Sequence, residues 1–282
     1  MITPKITNLG YSNLWTDMST ILGYASNFAQ QIQKLFANGE QGFFYDPNDL
    51  STMFQDAAGT IPITAAGQLV GLIRDKSGRN NHAYQTVSAS RPLLQRNATT
   101  GAYYLAFDGF DDFLVTNNID FTLTDKVSLF AGVRKYVNSS RILCELSSNM
   151  NVNPNSFYMT APENVAGAYG FKSRGSAGSN AVMAALTQPT STEDSCVLVA
   201  SADISADSNT ISRNGILSAT SYELGSGNYG NYPLFIGRRG GTSFPFKGHL
   251  YSLIGIGRLT ADSETIALEK AIAKNVGVTL NV

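Results

Sequence analysis

Thr210-Ile211-Ser212-Arg213-Asn214-Gly215-Ile216-Leu217-Ser218 holds two short β-prone runs around an Asn-Gly pair. A two-residue hairpin turn of type I′ needs φ > 0 at both central positions, and Asn-Gly tolerates that at low cost. The stretch therefore predicts an antiparallel hairpin. The same texture continues on either side of it. Val127, Leu129, Ala131 and Val133 alternate, as do Ile142, Cys144 and Leu146, the pattern of half-buried strands. Residues 103–107 and 112–116 flank Asp108-Gly109, and residues 43–45 run into the turn signal Asp46-Pro47-Asn48. Residues 156–160, 168–172, 196–202, 234–237 and 249–256 extend the series. Many short strands with regular turns and no intervening helices predict an antiparallel sandwich.

The two ends of the chain read differently. Leu14, Met18, Ile21, Ala25, Phe28, Ile32 and Leu35 are spaced alternately by four and three, a heptad pattern. Trp15, Leu22, Ala29 and Phe36 form a second column, so the apolar stripe is wider than a two-stranded seam. Ser19, Thr20, Ser26, Asn27, Gln30 and Gln31 occupy the rest, with almost no Glu–Lys pairing. This N-terminal helix is expected to meet copies of itself or a larger assembly, against the alternative that it packs on its own domain. At the other end, Thr260 is the expected cap of a short helix with Asp262 and Glu264 in its first turn, Leu268, Ala271 and Ile272 on its apolar face, and Gly277 after it. The expected domains are residues 1–40, the helix, and 41–282, the sandwich.

Composition removes several function classes. Only 15% of the 282 residues are charged, with a net charge of −1, where soluble domains carry about 25%. Nucleic acid and anionic membrane surfaces call for a basic excess that is lacking. No apolar stretch reaches the roughly 18 residues of a membrane span, and the opening residues show no apolar core of a secretory signal. Cys144 and Cys196 are too few for a disulfide scaffold and are expected as free thiols.

Several segments resemble concanavalin A-like domains of the laminin G-like type. Asp75-Lys76-Ser77-Gly78-Arg79-Asn80-Asn81-His82 is similar to the family's D-x-S-G-x-x-N-H segment, and Arg91-Pro92 follows it. Phe107-Asp108-Gly109-Phe110-Asp111-Asp112-Phe113-Leu114 resembles its F-D-G-x-D-D-x-L hairpin. Ser212-Arg213-Asn214-Gly215 stands where the family has Y-V-N-G, and Phe235-Ile236-Gly237-Arg238 with Phe246-Lys247-Gly248-His249-Leu250 resembles a further strand pair. Arg258-Leu259-Thr260 and the helix after it resemble the family's ending. The resemblance covers residues 70–277. It implies an all-β, antiparallel jelly-roll β-sandwich, which adds to the helices read above. Leu14-Trp15-Thr16-Asp17-Met18-Ser19-Thr20 and residues 42–56 resemble the openings of tail- and fibre-associated proteins of tailed bacteriophages and prophages.

Residues able to do chemistry are sparse. No two of the seven glutamates lie two or four apart, so the carboxylate pair a sandwich glycoside hydrolase needs is not supplied by one strand. Glu145, within a predicted strand, is expected to face outward. His82 and His249 are expected to be structural, and no catalytic residue is assigned. No Cys/His set suits zinc. Calcium takes six to eight oxygens, and the clusters Asp108, Asp111, Asp112 and Asp75, Asn80, Asn81 each offer too few in one loop, so no metal or cofactor is assigned and calcium is the alternative. Carbohydrate needs an aromatic platform and planar hydroxyl-binding groups. Asn228, Tyr229, Asn231 and Tyr232, with Arg238 and Arg239 after the next strand, have that make-up and are the candidate ligand-binding residues. The resulting expectation is a non-enzymatic phage virion protein, made in the bacterial cytoplasm, that recognises host surface glycan. Leu14, Met18, Ile21, Ala25, Phe28, Ile32 and Leu35 would hold it as a homo-oligomer, a trimer by analogy with phage fibres, among other virion proteins. A structural capsid decoration or tail adaptor protein, or a glycan-degrading hydrolase, are the alternatives.

Overall fold

The computed structural model describes residues 32–163, 168–175, 182–186, 191–221 and 223–281. Its strands are β1 (Gly42–Tyr45), β2 (Met53–Phe54), β3 (Leu72–Ile73), β4 (Ala83–Tyr84), β5 (Leu93–Arg96), β6 (Tyr103–Asp108), β7 (Leu114–Asp120), β8 (Lys126–Lys135) and β9 (Ile142–Leu146). They continue as β10 (Ser156–Thr160), β11 (Tyr169–Arg174), β12 (Val182–Leu186), β13 (Asp194–Asp203), β14 (Ser208–Arg213), β15 (Ile216–Ser221), β16 (Asn231–Ile236) and β17 (Lys247–Ile256). One helix, α1 (Asp262–Val276), follows. Among the described residues the strands form two antiparallel sheets. One has eight strands in the order β15-β14-β13-β8-β17-β6-β5, with β1 also on β17. The other has nine in the order β12-β11-β10-β9-β16-β7-β4-β3-β2.

The opening hairpin forms as read. β14 and β15 pair from Ser208↔Ser221 to Arg213↔Ile216, and Asn214 and Gly215 both take positive φ, 49° and 84°, the double requirement of a type I′ turn. Between the sheets, Leu129, Ala131 and Val133 of β8 meet Cys144, Leu146, Phe157, Met159 and Phe171 of the other sheet in one continuous core. Both thiols are buried and free, and burial pushes each up to about 12, so neither is a nucleophile at neutral pH.

The alternation in β8 predicts a half-buried strand, but Val127 to Val133 are buried throughout. The reason is a third layer. Leu268, Ile272, Ala273 and Val276 of α1 pack on Phe130, Val197, Val199, Tyr251 and Ile254, the outward side chains of the eight-stranded sheet. Ile32 and Leu35, in a helical turn at 32–35, and Phe36 join that layer. These two heptad residues are 4% and 1% exposed within a single chain. Leu14, Met18, Ile21, Ala25 and Phe28 lie outside the described residues. The C-terminal helix starts one residue later than its sequence predicts. Ala261 is the cap, and Glu264 Oε2 accepts the Ala261 amide at 2.9 Å, the half of a capping box that needs no hydroxyl at the cap. Thr260 instead pairs its hydroxyl with that of Thr265.

Candidate functional site

Strand register puts one row of side chains on the outer face of the nine-stranded sheet: Lys172 opposite Tyr158, Tyr158 opposite Glu145, and Glu145 opposite Phe235. Their sequence neighbours Phe171, Met159, Cys144 and Ile236 point into the core. Glu145 thus faces outward as expected, yet it is fully buried. The loop between β16 and β17 covers it. Gly237 leaves β16 at φ 87°, with no room for a Cβ, which would stand 2.4 Å from the Phe107 ring. The Arg239 amide then donates to Ser243 O at 2.9 Å, closing a tight loop. Arg239 lies back over the sheet, and its Nε donates to Glu145 Oε2 at 2.7 Å. The Met150 amide donates to the other carboxylate oxygen at 2.7 Å. Burial pushes the Glu145 carboxyl upward, while Arg239 and the Met150 amide pull it back.

The Arg239 guanidinium carbon lies 4.9 Å from the Tyr158 ring centre and 5.1 Å from that of Phe244. Aromatic packing plus the carboxylate fixes a side chain that is usually mobile. Phe244 is 42% exposed and sits at φ 52°, a left-handed conformation costing a bulky residue about 1–3 kcal/mol. The Ile142 amide holds it there by donating to Phe244 O at 3.0 Å. Beside these residues lies a cleft of about 350 Å³, lined also by Ser140, Arg141, Thr160 and Glu163. Glu163 accepts the Ser140 hydroxyl through Oε1, whereas its buried Oε2 has no partner among the described residues. Arg141 likewise has a buried Nε without a partner there. A strained exposed ring, a fixed guanidinium and unspent polar atoms in one cleft are the ingredients of a small-ligand site.

The candidates from sequence divide. Arg239 is central to the cleft. Arg238 is turned aside, donating to Asp111 O and Thr242 O at 3.4 and 3.1 Å. Asn228, Tyr229, Asn231 and Tyr232 lie before or at the start of β16, whereas Arg239 follows its end. Tyr229 is no exposed platform: it is 1% exposed, its ring edge-on to Phe157 at 5.5 Å and its hydroxyl 2.6 Å from that of Ser173. Tyr232 faces inward and packs on the core. Asn228 donates its side chain to Thr122 O at 2.7 Å, a loop tie. Asn231 remains exposed at the strand start. Sequence reasoning missed Tyr158, Phe244, Arg141 and Glu163, which are scattered over about a hundred positions and meet through strand pairing.

The other polar groups considered from the sequence are engaged within the fold. His82 Nδ1 accepts the Asp75 amide at 3.1 Å, and Asp75 caps its loop by accepting from the amides of Phe44, Ser77 and Asn81. His249 stacks on Tyr104 at 3.9 Å, and burial with Arg134 nearby lowers it to about 4, so it is neutral at physiological pH. Asp108, Asp111 and Asp112 bring one oxygen each within 4.8 Å of one another, half of what calcium takes. Asp108 and Asp112 accept turn amides, and Asp111 accepts the Ser90 hydroxyl.

Burial, with Asp108 and Asp111 beside it, pushes the Asp112 carboxyl up to about 7. The folded chain therefore keeps a proton that the unfolded chain, near 3.9, gives up. This contribution is fully present below about pH 4 and is lost as pH rises through about 7. Asp112→Asn, which can still accept the Asp108 amide, is expected to melt higher than the parent at pH 8 and to lose that advantage at pH 4. Thermal unfolding of both proteins across this range checks it.

No family model and no curated protein matches this chain. Solved structures match in fold. An arabinofuranosidase complexed with arabinofuranosyl-alpha-1,2-xylobiose aligns over 87% of this chain and 65% of its own, at 13% identity and a TM-score of 0.53. The binding domain of botulinum neurotoxin DC, in complex with SialylT, aligns over 80% and 52%, at 11% identity and a TM-score of 0.50. The NanB sialidase of Streptococcus pneumoniae aligns over 56% of this chain at 16% identity and a TM-score of 0.42, and the match spans about a quarter, 26%, of its length. At these identities the likeness is one of fold: the chain is an antiparallel β-sandwich of the concanavalin A-like, jelly-roll kind with a short C-terminal helix.

Proposed function

We propose that this chain binds glycan, and that a saccharide ring lies on Phe244 in the cleft beside Arg239. The observation that carries this is Phe244 itself, a bulky residue kept both strained and exposed next to an immobilised arginine. Strain of that kind persists where the surroundings enforce it and is concentrated at functional sites. The saccharides named with the arabinofuranosidase and with the neurotoxin binding domain agree with this reading. Binding without hydrolysis is favoured because Glu145, one of two glutamates at the cleft, is buried under Arg239 and out of reach of a scissile bond.

Phe244→Gly separates binding from folding. Glycine relieves the left-handed backbone at its own entropic cost, so the variant is expected to unfold within about 1 kcal/mol of the parent. Its affinity for saccharide should fall about tenfold or more, the scale of a lost aromatic anchor. Glycan-array binding followed by titration of the best ligand measures both proteins. Unchanged affinity would remove Phe244 from the site, and silence of the parent across the array would favour a structural adaptor. Release of reducing ends from a bound polysaccharide would overturn the non-enzymatic reading.

The proposal extends to a particle-borne role. The heptad residues upstream of Ile32 would gather several copies, and weak single sites then gain by avidity. The resemblance of residues 14–20 and 42–56 to phage tail proteins supports a host-attachment role in a virion. Full-length protein with Leu14, Ile21 and Phe28 changed to Asp should be monomeric by light scattering where the parent is oligomeric. A monomeric parent at micromolar concentration would contradict self-association.

A further inference from the structure

We infer that the saccharide taken by this cleft carries a carboxylate, an inference that rests on the glycan-binding reading above and narrows it to acidic sugars. The Arg239 guanidinium has the Tyr158 and Phe244 rings packed against it and its Nε committed to Glu145. Among the described residues its two terminal nitrogens make no hydrogen bond. What is left is a planar fork of N–H donors, held by a buried carboxylate behind it and facing a cleft. A fork of that kind matches two carboxylate oxygens better than it matches a single hydroxyl.

Charge points the same way. Arg141 and Glu163 line the cleft with Arg239, and Lys172 Nζ stands 5.6 Å from the centre of the Tyr158 ring. Counting Glu145, three cationic side chains face two carboxylates, an excess of one positive charge on a chain whose net charge is −1. The unpartnered donor Nε of Arg141 adds to the demand for an acceptor. Of the cleft's described side chains, Glu163 offers an acceptor, Oε2, with no partner among the described residues, and it suits a sugar hydroxyl next to the acid. A neutral saccharide would meet Glu163 and the Phe244 ring but offer the terminal nitrogens of Arg239 no bidentate acceptor.

The test is calorimetric titration of the full chain with matched pairs: lactose against sialyllactose, and cellobiose against its glucuronate-containing counterpart. At least one acidic member should bind about tenfold more tightly than its neutral partner at low salt, a gap of about 1.4 kcal/mol, and the gap should shrink as salt rises. Arg141→Gln should lower acidic affinity several-fold and neutral affinity by clearly less, so that the gap between the matched pairs narrows. Arg239→Lys, which keeps the charge without the fork, should also lower the acidic affinity. Equal or tighter binding of the neutral members would overturn the carboxylate inference while leaving glycan binding intact. Acidic binding indifferent to both arginine variants would overturn it too. Failure of every saccharide, acidic or neutral, would instead defeat the glycan reading beneath it.

Discussion

Arg239→Ala is expected to cost about 3–5 kcal/mol of folding stability and to abolish saccharide binding together. The cost arises from what is left behind. Glu145 is fully buried and, among the described residues, keeps only the Met150 amide as a partner once the guanidinium is gone. A buried carboxylate without its cation must protonate or draw in water. The penalty should therefore be greatest at neutral pH and shrink as pH falls and Glu145 takes up a proton. Denaturant unfolding at pH 7 and pH 4.5 measures both quantities. Glu145→Gln with Arg239→Met should recover most of the stability, since replacing both partners removes the unpaired charge, but it should not recover binding. If the double variant is as unstable as Arg239→Ala, the loss comes from the packing of Tyr158 and Phe244 around the guanidinium rather than from the buried charge.

Gly237→Ala is expected to be comparably damaging, for steric reasons. Its φ of 87° is left-handed, which costs a residue with a Cβ about 1–2 kcal/mol. The added methyl would also stand 2.4 and 2.5 Å from two carbons of the Phe107 ring, and overpacking of this kind costs about 1–3 kcal/mol. The sum, about 2–5 kcal/mol, falls where the chain turns out of β16 toward Arg239. The Gly237 amide donates to Leu143 O, and the Phe246 amide returns to Gly237 O at 2.7 Å. A forced turn should therefore displace Arg239 as well, weakening binding even in the folded fraction. Unfolding curves and saccharide titration of the same preparation give the two effects separately.

The sandwich was legible because local signals and tertiary structure agree. The Asn214-Gly215 turn, the strand period of β9 and the Asp75 loop each depend on residues a few positions apart, although β9, read as half-buried, is buried at every position. Burial was harder to read. An alternating strand looks half-buried from its own sequence, and nothing in residues 126–135 says that α1 and the turn at 32–35 will cover their outer side. Glu145 shows the same limit: its outward direction follows from strand period, but its burial depends on a loop more than ninety positions away. The site was half legible. Arg239 is legible as a planar hydroxyl-binding group after a predicted strand, while the same composition also favours Tyr229, whose ring the fold spends on the core against Phe157. Phe244, Tyr158, Arg141 and Glu163 have no common spacing, so only the pairing of β9, β10 and β16 brings them together.

The central claim, that a saccharide occupies the Arg239–Phe244 cleft, is tested most directly by a crystal structure of the chain soaked with its best acidic ligand from the array. The account predicts a sugar ring against Phe244, its carboxylate on the terminal nitrogens of Arg239 and a hydroxyl on Glu163. Sugar density at the loop of Asn228 and Asn231, or on the outer face of the eight-stranded sheet, with the cleft empty, would contradict it.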